Sequence, residues 1–177
     1  MHMHYYKFNI NLTSEQKQVL LDLTDKMVFT EVKYGDLGFR GNDTIDSINS
    51  ITGTTINNSV TGYDPSAIPL WLPKLFNFHY KRIIFLKNKG VSVHKDLPTR
   101  SSAITFPLNV TNIPTKWWKD GKAVAELYHN SNSYLTNVGE FHSVDPCDSY
   151  RYFMQLTLDN TWDYNVEYFK NLNLIEI

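Results

Sequence analysis

Residues 91–100 read VSVHKDLPTR: a short apolar run, then a histidine, then an aspartate two positions later. In a β-strand, residues i and i+2 point to the same face of the sheet. His94 and Asp96 are therefore placed to grip one ion together. A His-x-Asp pair also occurs as a plain hydrogen bond at a strand end, and so short a motif recurs by chance. Its meaning depends on what surrounds it.

Upstream, RIIFLK (82–87), NKG and VSVHKD read as strand, turn, strand. Downstream, SSAITFPLNV (101–110), KAVAELYH (122–129), SYLTNVGEFHSV (133–144) and YRYFMQLTL (150–158) are further strands, with Pro, Asn, Asp and Gly in the gaps. Pro107 fits a strand end or a sheet edge. Before this β-rich half, HYYKFNI (4–10) predicts an edge strand. TSEQKQVLLDLTDKMVF (13–29) predicts a helix with a Thr13–Gln16 capping box and Val19, Leu20, Leu23 and Met27 on one face. DPSAIPLWLPKLFNFHYK (64–81) suggests a short helix, and residues 160–177, with Trp162, Val166 and Phe169, a last one. Residues 35–62 are polar and lack periodicity, the profile of a substrate lid or of decoration. Many strands with short connections, and helices mostly before them, predict a mainly β two-sheet sandwich or barrel with flanking helices.

The chain has 177 residues, 42% of them apolar and 14% aromatic, enough for one globular domain over 1–177. Its longest apolar runs, such as 83–86, are too short to cross a bilayer. No secretory leader is read at the start, and the single cysteine, Cys147, leaves no internal disulfide or multi-cysteine zinc site. A cytoplasmic setting is expected. The net charge of −1 gives no general attraction to duplex nucleic acid or to a membrane. Lys81, Arg82, Lys87 and Lys89 read as solvated strand ends. Tyr80, Tyr128 and Tyr134 read as core or rim aromatics, and Trp117 and Trp118 as packing residues or a cover over the site.

A third ligand would turn the His94–Asp96 pair into a metal site. The other histidines are His2, His4, His79, His129 and His142. His142 lies in a strand-like context before the turn SVDP, 46 positions after Asp96. Nine residues further, Arg151 opens a strand in which Arg151, Phe153, Gln155 and Thr157 alternate with Tyr152, Met154, Leu156 and Leu158. An arginine on a partly buried strand face is costly unless paired. Asp145 or Asp148 is one possible partner; a bound carboxylate is the other.

The order His94-x-Asp96, His142, Arg151 resembles the iron(II)/2-oxoglutarate-dependent oxygenases. HKDLPTRSSAITFPLN (94–109) looks like the first metal motif of the prolyl 4-hydroxylase-like and aspartyl/asparaginyl-hydroxylase-like branches. GEFHSVDPCDSYRYFMQLTL (139–158) looks like their distal histidine and co-substrate arginine. The resemblance spans roughly residues 80–160. It implies a double-stranded β-helix, or jelly-roll, with His94, Asp96 and His142 as the facial triad of iron(II). It further implies that 2-oxoglutarate and dioxygen take the open positions and that Arg151 binds the distal carboxylate of 2-oxoglutarate. Arg100 matches a position that contacts co-substrate or substrate in similar sequences; a solvated arginine is the alternative. The expected reaction hydroxylates a small molecule or peptide side chain and releases succinate and CO2. Asp96 departs from the many aspartyl/asparaginyl hydroxylases, and from the family's halogenases, that lack this carboxylate. Competing readings are a non-catalytic cupin-like protein with His94 and Asp96 merely hydrogen-bonded, and a zinc hydrolase using the same ligands.

Overall fold

The computed structural model describes residues 3–27, 30–31, 57–59, 68–96 and 99–177. In chain order these form strand β1 (Tyr5–Phe8), helix α1 (Ser14–Thr24), strands β2 (Thr30–Glu31) and β3 (Asn57–Ser59), and a 3-10 turn (Pro73–Leu75). Strands β4 (Arg82–Asn88), β5 (Val91–His94), β6 (Ser102–Pro107), β7 (Thr115–Lys119), β8 (Lys122–Leu127), β9 (Ser133–Asn137), β10 (His142–Val144) and β11 (Arg151–Thr157) follow, and helix α2 (Trp162–Asn171) comes last. The described strands make two antiparallel sheets, ordered β1-β9-β6-β11-β4-β3-β2 and β5-β10-β7-β8. This is a jelly-roll: a large sheet faced by a small one.

Side-chain alternation sets the two faces of the large sheet. Phe8, Ile83, Phe85, Ile104, Phe106, Leu135, Met154 and Leu156 point to the helix side, where Leu20 and Phe169 complete a core of fully buried apolar groups. The opposite face carries Asn88, Thr105, Thr136, Arg151, Gln155 and Thr157, all buried. The apolar core thus lies between sheet and helices, and the pocket between the sheets sets these polar groups among apolar ones such as Leu86, Trp117 and Phe153.

Both helices begin where the local chemistry dictates. Gln16 N donates to Thr13 Oγ1 at 3.2 Å and Thr13 N donates to Gln16 Oε1 at 2.9 Å, closing the expected capping box. Tyr164 N donates to Thr161 Oγ1 at the start of α2, with Asp163 in its first turn and Lys170 in its last, complementing the helix dipole. Val19 departs from expectation and is 42% exposed. The packed arc of α1 centres on Leu20 and Thr24 with Leu21 and Leu23 on its flanks, which turns position 19 to solvent.

The strand, turn, strand reading of 82–96 holds, and other features differ from expectation or go beyond it. Strands β4 and β5 follow each other through Gly90, at φ 116°, yet they belong to different sheets. Residues 133–144 are two strands, β9 and β10, also in different sheets. The crossover passes close over Ser101: Val138 N and Gly139 N both donate to Ser101 O, and a Cβ on Gly139 would lie 3.1 Å from Ser101 Cα. Of the segment 64–81, where a short helix was expected, residues 68–81 are described and contain the one-turn 3-10 helix Pro73–Leu75. Strand β7 was not anticipated; it pairs with β8 through Asp120 and Gly121, at φ 50° and 74°. Two successive left-handed residues make the primed turn that two-residue hairpins favour.

Pro107 ends β6, as its missing N–H requires. Lys81 pairs with Asp159, and Lys87 and Lys89 lie over the Tyr150 ring, so this basic group is engaged at strand ends. No helix of the described residues is long and apolar enough to cross a membrane. The lid proposed for 35–62 lies outside the described residues apart from 57–59, which form β3.

Candidate metal centre and anion pocket

His94 closes β5, and His142 opens β10 as its antiparallel register partner. Asp96 follows two residues after His94, its backbone fixed by Asp96 N donating to Val138 O at 2.8 Å. One ligand atom from each of the three side chains lies within 4.8 Å of the others, and all three groups are buried. Two neighbouring strands and the residues that follow one of them thus bring together ligands separated by 46 positions in sequence.

Each histidine is oriented by a backbone carbonyl. His94 Nδ1 donates to Ser92 O at 2.8 Å, and His142 Nδ1 donates to Glu140 O at 2.8 Å. A carbonyl can only accept, so the Nδ1 atoms carry the protons and the lone pairs reside on Nε2, the arrangement usual for metal-binding imidazoles. Burial, reinforced by nearby His94, lowers the His142 pKa to about 4, which keeps it neutral. His94 Nε2 and Asp96 Oδ1 are 3.6 Å apart, beyond hydrogen-bond range. A simple His–Asp hydrogen bond therefore does not describe the pair. Two imidazoles and one carboxylate suit a divalent transition metal and leave an octahedral ion three positions for exogenous ligands.

Arg151 lines the same pocket from the large sheet. It is 1% exposed and has no carboxylate partner among the described residues; Asp145 pairs with Lys116 instead. Its guanidinium lies 4.7 Å from the Phe153 ring centroid, and Nη2 reaches Thr115 Oγ1 only at the 3.5 Å limit. Nε is buried without an acceptor. Burial lowers its pKa to about 10, and the group remains a cation at neutral pH. A desolvated cation held this way has a strong appetite for an anion.

His129 completes that wall. Its Nε2 lies 3.1 Å from Thr115 Oγ1, and its Nδ1 is buried with no partner. Burial first, and Arg151 second, lower its pKa to about 3, so the ring is neutral. Thr115 Oγ1 thus stands between Arg151 Nη2 and His129 Nε2, and His129 Nδ1 is left as a second buried polar atom without a partner among the described residues. Sequence reading weighed His129 only as a metal ligand, and Thr115 not at all.

The remaining site residues are placed as follows. Arg100 lies on the pocket but contacts Asp96, with Nη1 3.0 Å from Oδ2. His79 sits outside, largely exposed, 3.8 Å from Asp159, and His4 binds Glu140 at 2.6 Å. His2 lies outside the described residues. Trp117 is buried on the pocket wall and donates Nε1–H to Asn137 O, while Trp118 donates to Ser143 Oγ. Tyr80 packs against Phe76 and Phe78, Tyr128 is exposed, and Tyr134 packs edge-on to Tyr5 and His129. Burial raises the Cys147 pKa, the opposite of thiol activation.

No family model matches this sequence, and no curated protein sequence does. Among solved structures, the chain is similar to a Pseudomonas putida prolyl-4-hydroxylase, with a TM-score of 0.50 at 13% identity over 89% of this chain and 94% of that one. A protein from Burkholderia pseudomallei described as an oxidoreductase of the 2OG-Fe(II) oxygenase family gives a TM-score of 0.49 at 9% identity, over 82% and 79% of the two chains. At such identities the likeness to the hydroxylase speaks for a shared jelly-roll fold.

Proposed function

We propose that this protein is an iron(II)- and 2-oxoglutarate-dependent oxygenase that hydroxylates a C–H bond of a small molecule or peptide side chain. One observation carries the reading: the His94, Asp96 and His142 ligand set shares a pocket with Arg151, a buried arginine that no carboxylate of the described residues neutralises. A metal-binding jelly-roll has no evident use for a dry cation near its metal. A co-substrate with one carboxylate for the metal and a second for an arginine gives it one.

His94, Asp96 and His142 would hold iron(II), which supplies dioxygen activation coupled to decarboxylation of 2-oxoglutarate to succinate and CO2, with the second oxygen atom going to the substrate. The chain's own residues do the positioning. The planar fork of Arg151 matches the distal carboxylate, and charge-assisted bonds of this kind are both stronger and more directional than neutral ones. Phe153 packs under the guanidinium and limits its access to water. His129, kept neutral by burial and by Arg151, adds no charge of its own to that wall of the pocket. Asn88, Thr105 and Gln155 supply a polar wall around the bound co-substrate.

The test is turnover without a prime substrate. Oxygen-free protein is loaded with iron(II), mixed with 2-oxoglutarate, exposed to air and assayed for succinate. Slow succinate formation that requires His94 and Arg151 is expected. Iron binding with neither 2-oxoglutarate binding nor succinate would refute the oxygenase reading in favour of a cupin-like binding protein. Hydrolytic activity retained without oxygen would point to a zinc hydrolase.

A further inference from the structure

Arg100 is not one of the three ligands, yet it holds one of them. Its Nη1 meets Asp96 Oδ2 at 3.0 Å, and its Nη2 donates to Gln155 Oε1 at 2.6 Å. Gln155 is fixed in turn: its Nε2 donates to Thr105 Oγ1 at 3.0 Å, and Thr105 Oγ1 lies 3.3 Å from Thr136 Oγ1. Asp96, Gln155, Thr105 and Thr136 are all buried. A chain of side-chain contacts therefore runs from the metal carboxylate into three adjacent strands of the large sheet, β11, β6 and β9.

The direction of this chain matters. The histidine ligands belong to the small sheet, on β5 and β10, whereas Arg151 belongs to the large sheet, and the two sheets share no strand pairing. Strand pairing thus fixes each half of the site internally, and single contacts run between the halves, among them Asp96 N to Val138 O, Trp117 Nε1 to Asn137 O and Arg151 to Thr115. The contacts through Arg100 add a side-chain link from the Asp96 carboxylate itself, and they enter β11 at Gln155, four residues from Arg151 on the same face. The last torsion of an aspartate side chain is broad, so an unheld Asp96 has no single orientation to offer. The rigid fork of Arg100 occupies Oδ2 and leaves Oδ1, the oxygen 3.6 Å from His94 Nε2, on the metal side.

We propose that Arg100 is a positioning residue of the metal centre: it holds Asp96 so that Oδ1 faces the two histidines, and it ties that carboxylate to β11. The inference rests on the metal reading of His94, Asp96 and His142. This role differs both from the co-substrate or substrate contact and from the solvated arginine weighed from the sequence, because both terminal nitrogens are engaged by protein and, of the guanidinium nitrogens, Nε is left without a partner among the described residues.

The experiment is a titration with Mn(II) alone, without 2-oxoglutarate, following free Mn(II) by electron paramagnetic resonance. Wild type is compared with Arg100→Met, Arg100→Lys, Gln155→Met and His94→Ala. Removing a group that orients a metal ligand typically lowers metal affinity by about 10–100-fold. A loss of that size is expected for Arg100→Met, with partial recovery in Arg100→Lys, whose ammonium keeps the charge beside Oδ2. Gln155→Met should show a smaller loss in the same direction, and Co(II) bound to Arg100→Met should show an altered ligand-field spectrum. Unchanged Mn(II) affinity and Co(II) spectrum in Arg100→Met would overturn the proposal. Normal metal binding with lost 2-oxoglutarate affinity would overturn it too, making Arg100 a co-substrate contact. If Arg100→Met does not fold, Arg100→Lys and Gln155→Met decide, and unchanged metal affinity in both overturns the proposal. Failure of the metal reading would look different: His94→Ala and wild type would bind Mn(II) alike.

Discussion

His94 and His142 face each other as register partners across β5 and β10, with ring centroids 4.3 Å apart and planes tilted by 50°. Burial and nearby His94 keep His142 neutral, and a backbone carbonyl holds the Nδ1 of each ring. That makes Nε2 the atom each ring offers to a metal beside the Asp96 carboxylate, with one ligand atom of each of the three residues within 4.8 Å of the others.

The ligand set predicts unequal losses. His94→Ala or His142→Ala should abolish iron(II) binding and iron-dependent turnover, while circular dichroism stays that of wild type because neither side chain belongs to the apolar core. Asp96→Ala should weaken iron binding and also leave the Arg100 guanidinium without its carboxylate, so its thermal stability should fall as well. Equilibrium dialysis against iron(II) under nitrogen, paired with thermal melts, checks both. Normal iron affinity in the two histidine variants would discard the triad.

Arg151→Met separates anion binding from metal binding. Losing one partner of a buried charged pair typically costs about 3–5 kcal/mol, and about 1.4 kcal/mol is tenfold, so 2-oxoglutarate should bind roughly two to three powers of ten more weakly. Iron affinity should hold, and Arg151→Lys should be intermediate because it keeps the charge without the fork. The absorption band of the oxygen-free iron–2-oxoglutarate complex reports the binding. The same substitution should raise the melting temperature of the ligand-free protein, since it removes a desolvated cation that has no carboxylate partner among the described residues. A lowered melting temperature would mean that Arg151 is structurally compensated.

His129 predicts a pH dependence of stability. Its pKa is about 3 in the fold, through burial and then Arg151, against about 6.5 for an unfolded histidine. Between these values the unfolded chain takes up a proton that the native protein refuses. This contribution to stability is complete above the unfolded value and is lost as the pH falls towards 3, at up to about 1.4 kcal/mol per pH unit. His142, at about 4, adds a loss of the same sign between 6.5 and 4. Urea unfolding of chelator-treated protein from pH 7 to pH 4.5 should show the decline, and His129→Gln should make it shallower. An identical slope in that variant would remove His129 as a source.

The layer on the helix side of the large sheet should carry stability independently of the site. Phe106 is fully buried and packs against Phe8 and Phe76. Phe106→Ala should destabilise by about 3–5 kcal/mol, yet the fraction that remains folded should bind Mn(II) as tightly as wild type. A parallel loss of metal affinity would show that the two faces of the sheet are coupled.

What the sequence determined by itself is what short-range geometry controls. The Thr13–Gln16 capping box, the strand character of 82–87 and 150–158, and the shared face of His94 and Asp96 all follow from spacings of two to four residues, which the backbone repeat enforces wherever the chain ends up. The alternation along β11 likewise put Arg151 and Gln155 on one face before any partner was known. Tertiary structure decided which strand lies beside which. β4 and β5 are consecutive yet lie in different sheets, and the run 133–144 divides between the sheets where Gly139 passes over Ser101; a local apolar pattern is the same on either side of such a switch. Partner choice for buried charges was beyond the sequence for a related reason. Asp145 and Asp148 are near Arg151 in the chain, but Asp145 pairs with Lys116, and Arg100 finds Gln155 across 55 positions. Ion pairs and hydrogen bonds act over a few ångströms, and only the packing of one sheet against the other sets those distances.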